Sequence, residues 1–410
     1  MGAKETIQID GREFSELCPH FRAAPHQRLD DLRRRTGIAW DASQAQYLML
    51  RHDEVRAMLQ DRSLLRGRER ANPQSAVGKT YEAPPEDIVE RRNGAQVLIF
   101  KDGEDHLRLR RLIGAAFIAR VRTARDMVER IAREAAAALP DGEFDLVNAY
   151  AIPIPVRVIA TLLGLPEADF ARVRAWSDDL ALGFNPYRTP DEDQRRWQAI
   201  REMLAYFKRR LALAHEQKGE DLISDWAALN EAGEPLSEAE IVDHCIMMLT
   251  AGNLSTTDMI ANAALALLRD SEARALIRRE PERIGAVIEE SLRIDPPVTV
   301  TDRIAPADIE VSGCPVRKGD VMTASLLAAN HDPDTFADPH RFDAARPPHP
   351  HLAFGAGAHI CVGAPLARIE GQAAIRALFA RFPDLALVEE NVILRPVPGH
   401  LGPEQLIVRG

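Results

Sequence analysis

The sequence predicts a mainly α fold with small β-sheets, an α+β chain in which a helix-rich lobe meets a smaller β-rich lobe. Three observations predict it. The run from Ser237 to Leu268 is apolar on most faces and opens with Ser237 and Glu240 at capping-box spacing, as a long buried helix does. The segment FGAGAHICVGAPLAR, Phe354 to Arg368, is glycine-rich around Cys361, and its Pro365 opens a second helix through about Arg381. Short β-signals cluster in 25–60 and 296–325, which make the β-rich lobe, with helices elsewhere. At 410 residues the chain exceeds one ordinary core, so two lobes or a large buried cofactor are expected within a single domain, 1–410.

Composition narrows the function. Hydrophobic residues make up 46% of the chain and charged residues 28%, which is globular composition. The formal net charge of -10 argues against a nucleic-acid binder. Cys18, Cys245, Cys314 and Cys361 stand far apart with no CxxC spacing, so a zinc site or disulfide framework is not expected and a reducing cytoplasm fits. The N-terminus is polar and has no apolar run of signal or anchor length, so no membrane attachment is expected. Gly2 and Thr6 match a myristoylation pattern that is short and common by chance.

In chain order, a helix is expected near Pro25–Thr36, then strands Ile38–Asp41 and Ala45–Leu50, and helical spacing in Asp53–Leu59. Residues 61–100 are rich in charge and proline (Arg66, Arg68, Arg70, Pro84, Pro85, Arg91, Arg92), which reads as a long loop either functional or simply solvated, with Val97–Phe100 as its apolar part. Glu104–Ile118 reads as a helix that puts His106 and Arg110 on one face. Residues 120–230 are helical, with breaks at Pro140–Glu143 and in the turn-forming Gly183–Pro190. There Phe184 and Tyr187 either touch a ligand or pack under the loop. Glu282–Arg293 is a helix with Glu290 and Arg293 one turn apart. Pro296–Thr301 reads as a strand whose alternation places Val298 and Val300 on one face. Glu310–Val316 and Val321–Ala324 add β-structure, and Val392–Val408 reads as a hairpin with its tip near Pro398–Gly402.

The chemistry centres on Cys361. It stands just before a helix start, where free amides favour a thiolate, among glycines that let a flat ligand lie close. That combination suits one soft bond to haem iron. A dinucleotide loop is excluded because GxGxxG would need glycine where Ile360 stands. The pattern FGxGxHxCxGxxLAR resembles the haem-binding loop of the cytochrome P-450 superfamily, the haem-thiolate monooxygenases. Three further motifs agree in order: HxxxR at His106–Arg110, the AGNLST stretch from Ala251 to Thr256, and ExxR at Glu290–Arg293. The soluble bacterial type is the one resembled.

The resemblance implies the cytochrome P-450 fold around a buried haem b, with Cys361 as the axial ligand of the iron. It implies that His106, Arg110, Arg303 and His359 hold the propionates, with Phe354 and Gly363 against the porphyrin. It makes Gly252, Ser255 and Thr256 the catalytic segment. Here the sequence departs from the family, because Leu254 stands where an acid is usual and Ser255 where a threonine is usual. Ser255 can still donate a hydrogen bond, Thr256 can substitute for it, and Asp258 lies a turn further on. Glu290 and Arg293 are expected to bond a third arginine, Arg341 by motif with Arg346 as the other candidate. Leu98, Phe184, Met248, Ala251, Val298 and Val300 are the substrate-pocket candidates, and their character implies a small, mainly hydrophobic molecule. The implied reaction inserts one oxygen atom of O2 into a C–H bond, with electrons from a ferredoxin and its NAD(P)H-dependent reductase. Arg108 and Arg111 are candidate contacts for that acidic partner. A peroxide-driven or rearranging haem-thiolate enzyme, and a non-catalytic haem-containing binding module, are the alternatives.

Overall fold

The computed structural model describes residues 7–80, 85–88, 97–185 and 187–410. The Gly2–Thr6 pattern, Pro84, Arg91 and Arg92 lie outside the described residues.

The central helix runs Glu238–Arg269, and both halves of its Ser237–Glu240 capping box are made. It is buried along most of its length and packs on helices Pro153–Leu162, Pro190–Glu216, Ile284–Ile294 and Ala364–Arg381. Helix Ala364–Arg381 carries Pro365 in its first turn, as its sequence demands. It lies against Arg125–Ala137, and these helices share one large apolar core.

The β-rich lobe is a five-stranded sheet in the order Ile7–Ile9, Ile38–Asp41, Gln46–Met49, Val321–Ser325, Val300–Ile304. Ile38–Asp41 and Gln46–Met49 form an antiparallel pair, and Ile7–Ile9 adds to its edge in parallel, a strand not expected from the sequence. Ile309–Val311 and Cys314–Val316 form a separate hairpin. The C-terminal segment is looser than a regular hairpin. It closes through isolated pairings, Leu394 with Pro403 and His400 with Val298, before strand Ile407–Arg409 joins Glu143–Asp145 and Ala386–Leu387.

Helix Ile284–Ile294 fixes the loops that follow it. Arg293, wholly buried, donates from Nε and Nη2 to Glu290 at 2.9 and 2.8 Å. The third arginine is Arg346, whose Nε lies 3.0 Å from Glu290 Oε1. The side chain of Arg341 is exposed, and that residue enters the cluster through its carbonyl oxygen, which accepts from Arg293 at 3.2 Å and from Arg346 at 3.3 Å. His349 also reaches Glu290, at 3.2 Å. Burial alone would raise the Glu290 carboxyl, but Arg293, His349 and Arg346 override it and hold the group at about 2. The neighbouring Glu289 takes Arg368 at 2.7 and 2.9 Å and His351 at 3.1 Å, so one helix clamps both the meander and the cysteine loop's helix.

Removing one partner of this cluster strands a buried charge. Glu290→Ala or Arg346→Ala should lower unfolding free energy by about 3–5 kcal/mol, read from denaturant midpoints. Arg341→Ala should stay within about 0.5 kcal/mol. The folded pKa of Glu290 lies below the ordinary 4.5, so its contribution is full above that pH and is lost as pH falls toward about 2. Glu290→Gln should flatten stability across that window.

Candidate active site

Three of the four motifs, all but ExxR, converge on one cavity of about 310 Å³. Its wall includes His106 and Arg110, the 251–256 face of the central helix, Val298, Arg303, and the loop from Phe354 to Gly363 with Cys361. A second cavity, about 390 Å³, lies behind the central helix; it shares no lining residue with the first, and of the motif residues it takes only Asn253 and Leu254 of the AGNLST stretch. The chemistry gathers in the smaller one.

The cysteine loop is shaped by its glycines. Gly357 has φ +72°, and a Cβ there would come within 2.4 Å of the Leu59 carbonyl oxygen. Cys361 donates its amide to the Phe354 carbonyl at 2.9 Å, and Arg110 donates to the Ile360 carbonyl at 2.7 Å, which holds the turn. Burial pushes the Cys361 thiol up, while the amides of Gly363 and Ala364 and the guanidinium groups of Arg110 and Arg368 pull it down. The helix start therefore only partly offsets burial, and a metal at the sulfur would complete the ionisation.

Beside the cysteine loop stands a group of bases. His106 is buried with its Nε2 unpartnered, and its ring lies 4.0 Å from that of His359. Burial and then the neighbouring His106 and Arg303 push His359 down to about 3. Arg303 is buried and reaches only carbonyl oxygens, Asp302 at 2.8 Å and Leu59 at 3.4 Å. Burial, then Arg66, lowers it to about 10. The nearby carboxylate, Asp102, already accepts from the Arg66 and Gly67 amides at 2.8 and 3.0 Å and stays 4.0 Å from His359. Arg303, a buried cation held by carbonyl oxygens, calls for an anionic ligand, with the uncharged imidazoles of His106 and His359 as further donors, and the two carboxylates of a haem fit that need.

The central helix presents two faces. Ala251, Gly252, Ser255 and Thr256 line the motif cavity, whereas Thr250, Asn253, Leu254 and Thr257 line the rear one. A Cβ on Gly252 would meet nothing within 4 Å, so the glycine keeps space open and answers no clash. Ser255 donates its hydroxyl back to the Ala251 carbonyl at 2.7 Å. Asp258 is buried on neither wall, 3.1 Å from Arg395, and burial raises it to about 7. One acid on the cavity wall has no sequence signal beyond its place two residues after Arg368: Glu370, 3% exposed, with Oε2 unpartnered, pushed by burial to about 8.

Leu98, Met248, Ala251 and Val298 line the cavity as expected. Val300 and Phe184 do not. The alternation breaks because regular pairing begins only at Val300, while Thr299 bonds Gly399 at 2.9 Å through its amide and Leu326 at 2.8 Å through its carbonyl. Phe184 lines the rear cavity and packs 4.7 Å from the His400 ring, whose backbone pairs with Val298, so its influence on the cavity is indirect. Tyr187 is 58% exposed. Arg108 is drawn into contacts with Glu240 at 2.6 Å, Asp105 and the Pro235 carbonyl, which removes it from the free outer face; Arg111 is more exposed, beside Glu234.

Comparisons with known proteins identify the family. The family model for cytochrome P450 matches residues 184–396. The chain is 37% identical over 296 residues to cytochrome P450 monooxygenase PikC of Streptomyces venezuelae, covering 71% of this chain and 70% of that protein. It is 33% identical over 345 residues to 6-deoxyerythronolide B hydroxylase of Saccharopolyspora erythraea, covering 83% and 84%. A crystal structure of the myxobacterial cytochrome P450 CYP267B1 with myristic acid superposes with TM-score 0.87 at 30% identity, covering 97% of this chain and 98% of that one. The chain belongs to the cytochrome P450 family and has its fold. It is a haem-thiolate monooxygenase of the bacterial type, and no helix among the described residues is long and apolar enough to cross a membrane.

The cation group generates a test. His106→Ala and Arg303→Ala should each speed haem loss to excess apomyoglobin by about 10-fold or more, the loss of one charge-assisted bond. Phe184→Ala should leave that rate unchanged.

Proposed function

We propose that this enzyme hydroxylates a small, mainly hydrophobic molecule at a C–H bond, with electrons from a ferredoxin fed by an NAD(P)H-dependent reductase. The observation that carries the reading is Cys361 on one wall of a cavity whose other wall holds Gly252, Thr256 and apolar side chains. A relative named a hydroxylase, and a structural neighbour holding a fatty acid, support that substrate class.

When bound, haem supplies dioxygen activation and the oxygen-insertion chemistry. Cys361 would ligate its iron. His106, Arg110, Arg303 and His359 would hold its carboxylates, and Phe354 and Gly363 would pack beside it. Leu98, Met248, Ala251 and Val298 enclose the substrate and keep water out. The proton route follows from what faces the cavity. Leu254 is turned away, and the Ser255 hydroxyl is occupied by a helix carbonyl. Thr256 and Glu370 stand on the cavity wall, and Glu370, raised to about 8, carries a proton at neutral pH. These two groups take over the work of the missing acid–alcohol pair.

For the electron donor, an outer recess beside Cys361 is rimmed by Arg110, Arg111 and Arg122 and flanked by the exposed Ile360. A cationic rim around an apolar spot suits an acidic ferredoxin.

Cys361→Ser should abolish the red-shifted Soret band of the reduced carbon monoxide complex; a persisting band would reassign the axial ligand. Thr256→Val and Glu370→Gln should each divert about 10-fold more reducing equivalents to peroxide, within the range for a lost proton-transfer group. Ser255→Ala should change coupling less than either, measured as product formed per NAD(P)H consumed.

A further inference from the structure

The roof of the cavity is held by a histidine that none of the four motifs includes. His244 is wholly buried on the central helix, one turn before Met248 and on the stripe that continues through Ala251 to Ser255. Its Nδ1 lies 2.6 Å from the Glu240 carbonyl oxygen. A carbonyl only accepts, so Nδ1 carries the hydrogen and the neutral ring presents a lone pair at Nε2. That lone pair receives the backbone N–H of Leu98 at 3.1 Å, across 146 residues of sequence.

Among the described residues of the 61–100 segment, Leu98 and Ile99 line the cavity. The short turn Leu98–Phe100 is fastened on its other side as well. Arg66 Nε donates to the Ile99 carbonyl at 3.3 Å, and its Nη1 reaches Thr301 Oγ1 at 3.1 Å and the Asp302 carbonyl at 2.8 Å. The Arg68 guanidinium sits 4.3 Å over the Phe100 ring. The roof is thus clipped at one amide by the central helix and at one carbonyl by the sheet side.

We propose that His244 is a positioning residue for substrate selection: by accepting the Leu98 amide it fixes the height of the Leu98–Ile99 roof above the haem. This rests on the haem-thiolate reading of the same cavity. The interaction is indifferent to what the substrate is and decides how much of it fits beneath Leu98. Loss of the acceptor leaves a buried N–H unpaired, and the turn moves to find water.

Two variants remove the acceptor at that distance, His244→Phe with an apolar ring and His244→Asn with a shorter amide, while His244→Gln keeps a carbonyl oxygen near the Nε2 position. Hydrogen–deuterium exchange over 97–101 in the haem-loaded protein should be about 10-fold faster in the first two and near the original rate in the third. Two nitrogen ligands of haem iron then separate roof from floor by optical titration. 4-Phenylimidazole, long enough to meet the roof, should bind about 10-fold more weakly to the first two variants, while imidazole stays within about 2-fold. Unchanged exchange over 97–101 would overturn the proposal, as would equal weakening of both ligands or loss of bound haem in all three variants, which mark a folding role. Absence of the red-shifted carbon monoxide band in the unsubstituted protein would instead sink the haem-thiolate reading, whatever the amide does.

Discussion

Charge without counter-charge governs this molecule. Arg303 and Arg110 stand with two imidazoles on the wall of a cavity, and Asp102, the carboxylate beside His359, already accepts from two backbone amides. A buried cation without a close counter-charge costs several kcal/mol, a large share of an ordinary fold's stability. The carboxylates of a bound haem would offset that cost. Haem binding and folding are linked by mass action, and the bases that hold the group are also the groups that its loss would expose.

The polar frame around the cavity is arranged so that the thiolate loop has no freedom of its own. Adjacent carboxylates on helix Ile284–Ile294 act in opposite directions. Glu290 gathers Arg293, Arg346, His349 and the amide of Asp343, while Glu289 holds Arg368 and His351. A buried ion pair is weak evidence for stability, since apolar packing would often do as well. Its use here is direction. The bonds run to carbonyls and amides of irregular chain, which apolar side chains could pack against but could not orient.

Legibility followed the range of the cause. The capping box at Ser237, Pro365 in a first helical turn, and the pairing of Ile38–Asp41 with Gln46–Met49 are local, and the helices and strands stand where local chemistry puts them. That the cysteine loop and the HxxxR helix line one cavity was legible because their spacing is itself the signal. Arg341 and Arg346 were not separable, because the cluster takes a carbonyl from one and a guanidinium from the other, and a motif records neither atom. Val300 and Phe184 went astray for a related reason. Strand alternation cannot announce that Thr299 is pulled toward Gly399, nor a turn-rich loop that its aromatic ring will rest on His400. The strand Ile7–Ile9 exists by courtesy of an edge it could not foresee.

The departure at Leu254 becomes intelligible once the central helix is seen as a partition. Residues one step apart on it open into different cavities, so position 254 never addressed the haem wall directly. An acid there would have to act through the rear cavity, and a leucine there closes that route with apolar surface. Glu370 reaches the haem wall from another helix, and burial without a partner keeps it protonated at the pH where a donor is needed. An orphaned buried carboxyl is expensive to keep and stays only where the fold cannot spare it. The same partition explains His244: a residue on the haem-side stripe, one turn beyond the reacting segment, can hold the roof at fixed height because the helix beneath it is rigid on both faces.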